Sequence, residues 1–211
     1  MARRTKEDAL VTRASLLDAA EHVFLQRGVA RTSLNDIAQA AGVTRGALYW
    51  HFKDKAALFN AMMERVTLPL DAEMEGLTNG RGDPLQALRE SLLQGIARIV
   101  GDEQTRRVLQ IAMQKSEHGA EMLPAVEQHI AAQLRNADRM RCALEAAAAA
   151  HGRTLTHPAA ELARGLQAMM QGLVYNWLLA PGFDLQATAR HALDRYLRGA
   201  GLMPKLPPPA P

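Results

Sequence analysis

From Thr44 to Lys55 the chain reads Thr-Arg-Gly-Ala-Leu-Tyr-Trp-His-Phe-Lys-Asp-Lys. On one face of a short helix, Arg45, Gly46, Tyr49, Trp50, His51 and Lys55 supply a bidentate donor, a position of close backbone approach, aromatic surface with polar tips, and positive charge. A guanidinium reads guanine through O6 and N7, and a rigid helical ridge fits the major groove, so these residue types point to a nucleic acid. An enzyme's cleft has no use for them on an outer surface.

A ridge of this kind must be held by other helices, and the flanking sequence provides them. Ala14, Leu17, Ala20, Val23 and Phe24 recur at helical spacing, and Gly28 follows where a left-handed cap is expected. Thr32-Ser33-Leu34-Asn35-Asp36 offers a hydroxyl cap with an acid three residues on, opening a short second helix that Gly42 ends. Thr44 caps a third helix from Arg45 to about His51, and Asp54 caps a fourth. Two short helices joined at a glycine have the dimensions of a helix-turn-helix over about residues 33–52. Leu34, Ile37, Ala38, Val43, Leu48 and Phe52 form the stripe that locks it onto the first helix.

Beyond Pro69 longer helices are expected: one from Pro84, an Ala- and Leu-rich one from Pro124 to Ala150, and two more at Pro158–Leu179 and Asp184–Arg198. The fold class is therefore all-α, with about nine helices. The Pro-rich tail, 201–211, is expected to be disordered.

With 211 residues, 48% of them hydrophobic, the chain can bury a core. No apolar run approaches the length of a membrane span, the first residues do not resemble a signal peptide, and the single Cys142 fits a reducing, cytoplasmic compartment. Residues 1–60 hold nine Lys/Arg against six Asp/Glu, and the other residues hold sixteen of each, so the positive excess lies with the helix-turn-helix. No phosphate-binding loop, His-Glu-x-x-His or Gly-x-Ser-x-Gly occurs, and no enzyme activity is expected. His118, His129, Cys142, His151 and His157 lack metal-ligand spacing, so neither metal nor cofactor is expected.

The stretch Arg31-Thr-Ser-Leu-Asn-Asp-Ile-Ala-Gln-Ala-Ala-Gly-Val-Thr-Arg-Gly-Ala-Leu-Tyr-Trp-His-Phe-Lys-Asp-Lys-Ala-Ala-Leu-Phe59 resembles the signature of TetR-family transcriptional repressors. Val43 to Lys55 is especially similar to the multidrug-efflux repressors of the AcrR type. The resemblance implies a homodimer with a DNA-binding domain over 10–70 and an effector-binding and dimerisation domain over 71–200. Phosphate contacts would then fall on Thr32 or Ser33, Thr44, Tyr49, His51 and Lys55. Base contacts would fall on Arg45, with Gly46 and Tyr49 against the groove floor, and Arg3, Arg4 and Lys6 would form a basic arm.

The resemblance also implies a ligand pocket among the helices after Pro84, coupled to DNA through the fourth helix, Lys53 to about Thr67. Met62, Met74, Met113 and Met170 would give it adaptable apolar surface. Gln110 and Gln114, four apart on one face, would give it polarity, and Glu117 negative charge. Thr67 stands where this branch often keeps an acid, so a neutral lipophilic or aromatic effector is as plausible as a cation. Leu162, Leu166, Met169, Leu173 and Trp177 would line the dimer interface, with Gly165 and Gly172 allowing close helix approach. The alternative is a helix-turn-helix activator or architectural protein without an effector.

Overall fold

The computed structural model describes residues 6–75, 82–115 and 119–204, with the backbone alone for 70–75 and 115. The tail beyond Pro204 lies outside them, as do Arg3 and Arg4. Nine α-helices and no strand occur among the described residues: α1 (Lys6–Arg27), α2 (Leu34–Ala40), α3 (Arg45–His51), α4 (Lys55–Glu75), α5 (Pro84–Gly101), α6 (Glu103–Gln110), α7 (Leu123–Ala150), α8 (Ala159–Leu179) and α9 (Leu185–Gly199). A π-helical turn, Ile111–Lys115, follows α6. No described helix is long and apolar enough to cross a membrane.

Two compact units emerge, each discontinuous in sequence. Met1–Leu68 joins Glu103–Ala131, and Pro69–Asp102 joins Ala132–Pro211. In this packing division α6 and the start of α7 fall with the helix-turn-helix helices. Val108, Ile111, Met122 and Ala125 share one apolar cluster with Phe24, Leu48 and Phe59. Charge reinforces the packing. The Glu21 carboxylate, 1% exposed, accepts from Gln104 Nε2 at 2.9 Å and pairs with Arg65 Nη1 at 3.1 Å and Arg107 Nη1 at 3.5 Å. Burial pushes the Glu21 pKa up, against the downward pull of Gln104, Arg65 and Arg107. A buried carboxylate with partners on α4 and α6 penalises any motion that strips it of them.

Each turn in the helix-turn-helix has a local cause. Gly28 (φ 81°) ends α1, its N–H reaching Phe24 O at 2.8 Å, and Gly42 (φ 66°) ends α2, where Val43 N–H bonds to Ala38 O at 3.0 Å. Ile37, Ala38, Leu48 and Phe52 are buried, and Leu34 and Val43 pack half-buried beside them. Contrary to an end near Thr67, α4 continues through Pro69 to Glu75. Proline inside a helix forfeits one hydrogen bond without forcing a stop.

In the second unit α5 packs on α9, with Leu88, Leu92 and Ile96 buried on the first helix and Leu185, Ala189, Leu193 and Leu197 buried on the second. Arg89 and Asp194 tie the same pair of helices, with Nε to Oδ1 at 2.6 Å and Nη2 to Oδ2 at 3.2 Å. These bonds hold the Asp194 carboxyl below the usual carboxylate range. The α8 helix packs on α9, where Tyr196 donates its hydroxyl to Leu162 O at 2.7 Å. Gly165 makes room for that hydroxyl: a Cβ there would collide with it.

Candidate nucleic-acid interface

Two caps set the geometry of α3. Ser33 Oγ accepts from Asp36 N–H at 3.2 Å, while Asp36 Oδ2 accepts from the Ser33 amide at 2.8 Å and its hydroxyl at 2.6 Å. That reciprocal box fixes α2 and holds the Asp36 carboxyl below its ordinary range. Thr44 Oγ1 accepts from Ala47 N–H at 3.2 Å, which leaves its hydroxyl hydrogen to donate outward.

Beyond the Thr44 cap, α3 turns Arg45, Gly46, Tyr49 and Trp50 to solvent. Arg45 Cζ lies 5.3 Å from the Tyr49 ring centroid, and Nη2 donates to the Tyr49 hydroxyl at 3.4 Å. The guanidinium is steadied along the ring while its other N–H groups stay available. Trp50, 73% exposed, meets the half-buried His51 ring edge-on, centroids 4.6 Å apart. Nothing stands within 4 Å of where a Gly46 Cβ would be, so packing inside the chain does not require glycine there.

Two expected phosphate contacts are placed otherwise. Lys55 is buried, and its ammonium donates to Val29 O at 3.0 Å and Thr32 O at 2.9 Å and pairs with Glu121 Oε1 at 2.6 Å. Three N–H donors meet three acceptors, leaving none for phosphate. Thr32 is buried as well, its hydroxyl donating to Gly28 O at 2.8 Å. Both brace the loop that leads into α2. The sequence did hold a signal for this: Phe52, Lys55, Phe59 and Met62 recur at helical spacing, and all are buried. Lys53, with a side chain 81% exposed and its ammonium 3.8 Å from Asp54 Oδ2, is a solvent-facing cation beside this ridge.

The effector candidates are divided between the two units. Met62 is fully buried in the core of the first unit, where it cannot meet a ligand without repacking. Gln110, Met113, Gln114 and Thr67 are half-buried in that unit, while Met170 is buried in the second. The Met74 side chain and Glu117 lie outside the described residues. Gln114, in the π-helical turn, has a buried Nε2 with no hydrogen-bond partner among the described residues. Of the interface candidates, Leu162 and Leu166 are buried within the single chain, so they serve its own core. Met169, Leu173 and Trp177 are half-buried, and Tyr175 and Leu179 are exposed. No group of three or more His, Cys, Asp or Glu that would hold a metal occurs among the described residues.

An exposed Arg-Gly-Tyr-Trp ridge on the second helix of a helix-turn-helix is a surface of the kind that suits DNA, and comparison with known proteins narrows the class. Residues 16–62 match the model of bacterial regulatory proteins of the tetR family, and residues 83–201 match the C-terminal region of MAATS-type transcriptional repressors. The chain belongs to the TetR family. It is 39% identical to the HTH-type transcriptional regulator AcrR of Shigella flexneri, over all of this chain and 99% of that protein. It is also 39% identical to the regulator TtgR of Pseudomonas putida, over 98% and 99% of the two chains. Among solved structures it resembles NalD, described as the secondary repressor of the MexAB-OprM multidrug efflux pump in Pseudomonas aeruginosa, with a TM-score of 0.83 and 38% identity over 93% of this chain and 98% of that one. A SmeT–triclosan complex matches with a TM-score of 0.79 and 34% identity, over 93% and 99%. These relatives are transcriptional regulators, a class that acts by binding.

Proposed function

We propose that the chain is a dimeric, cytoplasmic repressor of a multidrug efflux operon, bound to a near-palindromic operator and released by a lipophilic or aromatic compound. The observation that carries this reading is the exposed Arg45–Tyr49 pair behind the Thr44 cap, in a family whose named members include repressors of efflux pumps. Arg45 reads a guanine, Tyr49 and Gly46 lie against the groove floor, and Thr44, Ser33, His51 and Lys53 serve the phosphates.

Release requires that the effector bind better to a dimer whose recognition helices are spaced wrongly for one DNA turn, about 34–36 Å. The buried Gln114 Nε2, without a hydrogen-bond partner among the described residues, supports an effector contact, since such a donor costs about 1–3 kcal/mol until something accepts from it. Its place in a π-helical turn, a feature frequent at functional sites, agrees. Exposed Tyr175 and Leu179 with half-buried Met169, Leu173 and Trp177 are the apolar surface of α8 suited to a second copy.

A footprint on the DNA flanking the chain's own gene, at fixed salt, with and without triclosan and other lipophilic compounds, tests the proposal. A symmetric protected site that a compound clears is the expected result. Protection that no compound alters would leave a regulator without an effector.

A further inference from the structure

A cavity of about 320 Å³ opens in the second unit between α5 and α9, and none of the effector candidates lines it. Arg89 faces Asp194 across the two helices, while Ala97, further along α5, shares the cavity with Gln186, further back along α9. The helices therefore run antiparallel, which brings Leu93 level with Arg190. Half-buried Leu93 and exposed Ala97 make one side of the cavity apolar. Gln94 and Gln186, both exposed, stand beside them with amides that donate and accept.

The charges around the cavity differ in how they are paired. Arg89 is committed to Asp194 through Nε and Nη2. Glu90, on the exposed side of α5, accepts from Gln86 Nε2 at 3.1 Å, a neutral partner on its own helix. Arg190 makes no hydrogen bond or ion pair with a described residue, and its charge adds to the field that keeps Asp194 ionised. An exposed carboxylate and an exposed guanidinium thus line one cavity without pairing with each other, roughly 5 Å apart along the helix axis at three residues' rise.

We propose that this cavity binds a short apolar peptide zwitterion of dipeptide size, with its carboxylate on Arg190, its ammonium on Glu90 and its side chains over Leu93 and Ala97. A guanidinium takes a carboxylate bidentately, and an ammonium donates to a carboxylate oxygen. An extended dipeptide spans about 7 Å, enough to carry its two ends to these two groups, whereas a single amino acid holds its charges too close together. A simple anion would meet Glu90 as a like charge, and a simple cation would meet Arg190, so the pair selects a molecule that bears both signs. The volume lies at the small end of ligand sites, about 300–1,000 Å³, and the apolar side favours aliphatic over polar side chains. The site stands apart from the effector reading and does not depend on it.

Leucyl-leucine, N-acetyl-leucyl-leucine, which lacks the ammonium, and leucyl-leucinamide, which lacks the carboxylate, are titrated into the full chain by calorimetry at neutral pH and one salt concentration. Leucyl-leucine should bind about fivefold or more tightly than either analogue. Arg190→Gln should lower its affinity to that of leucyl-leucinamide while the amide's own affinity stays within about twofold. Glu90→Gln should do the same towards the N-acetyl compound. Both substitutions change exposed side chains, and a thermal melt that matches the unaltered chain shows that neither acts by unfolding. No binding of leucyl-leucine, equal binding of the three compounds, or variants that weaken all three alike overturns the site, and each of these results leaves the effector reading as it was.

Discussion

Lys55 Nζ lies 2.6 Å from Glu121 Oε1, joining the start of α4 to the segment just before α7 within the first unit. The bond turns a residue expected on the DNA backbone into a brace for the loop before α2. Lys55→Met should therefore destabilise the fold by about 2–4 kcal/mol, as loss of a buried, fully paired charge does, visible in a denaturant melt. Lys53→Ala should leave the melt unchanged, weaken all DNA sequences alike and lower the salt slope by about 1. The reverse pattern would return Lys55 to the phosphates.

Gln114→Leu removes a buried donor that has no partner among the described residues. Stability should hold or rise by about 1 kcal/mol, while effector-driven release from DNA weakens. A stability loss with unchanged release would make Gln114 a structural residue.

Asp194 titrates below the usual carboxylate range because Arg89 hydrogen-bonds to it. The unfolded chain therefore binds that proton more tightly than the folded one. The pair's contribution is fully present above the ordinary carboxylate pKa, about 3.9, and is lost as pH falls through the lower folded value. Asp194→Asn should cost about 1–2 kcal/mol at neutral pH and flatten the decline in stability below about pH 4. Parallel pH profiles for the two proteins would contradict the assignment.

Gly165→Ala places a methyl group against the Tyr196 hydroxyl. A loss of about 1–3 kcal/mol is expected, part of it recovered when Tyr196→Phe is added. Additive losses in the double variant would show that the two positions do not meet.

Much of the fold was legible because caps are local. Thr44, Asp54, Asp83 and Asp184 each accept from a backbone N–H at the helix start where the sequence placed it. Gly28 and Gly42 end helices through left-handed conformations that glycine alone takes up readily. What depends on long-range packing was not legible. Leu162 and Leu166 have the same spacing whether they face a partner or α9, and Lys55 carries its charge whether exposed or enclosed by Val29, Thr32 and Glu121. The π-helical turn at Ile111–Lys115 has no sequence signal of its own.

The central claim is that Arg45 reads a base while its neighbours hold the backbone. The most direct measurement is the affinity of Arg45→Ala for the footprinted operator, for operators changed one base pair at a time, and for random DNA, all at one salt concentration. A loss of about 1–3 kcal/mol on the operator, little loss on random DNA and relaxed selectivity at one base pair per half-site are predicted. Equal losses on operator and random DNA would contradict it.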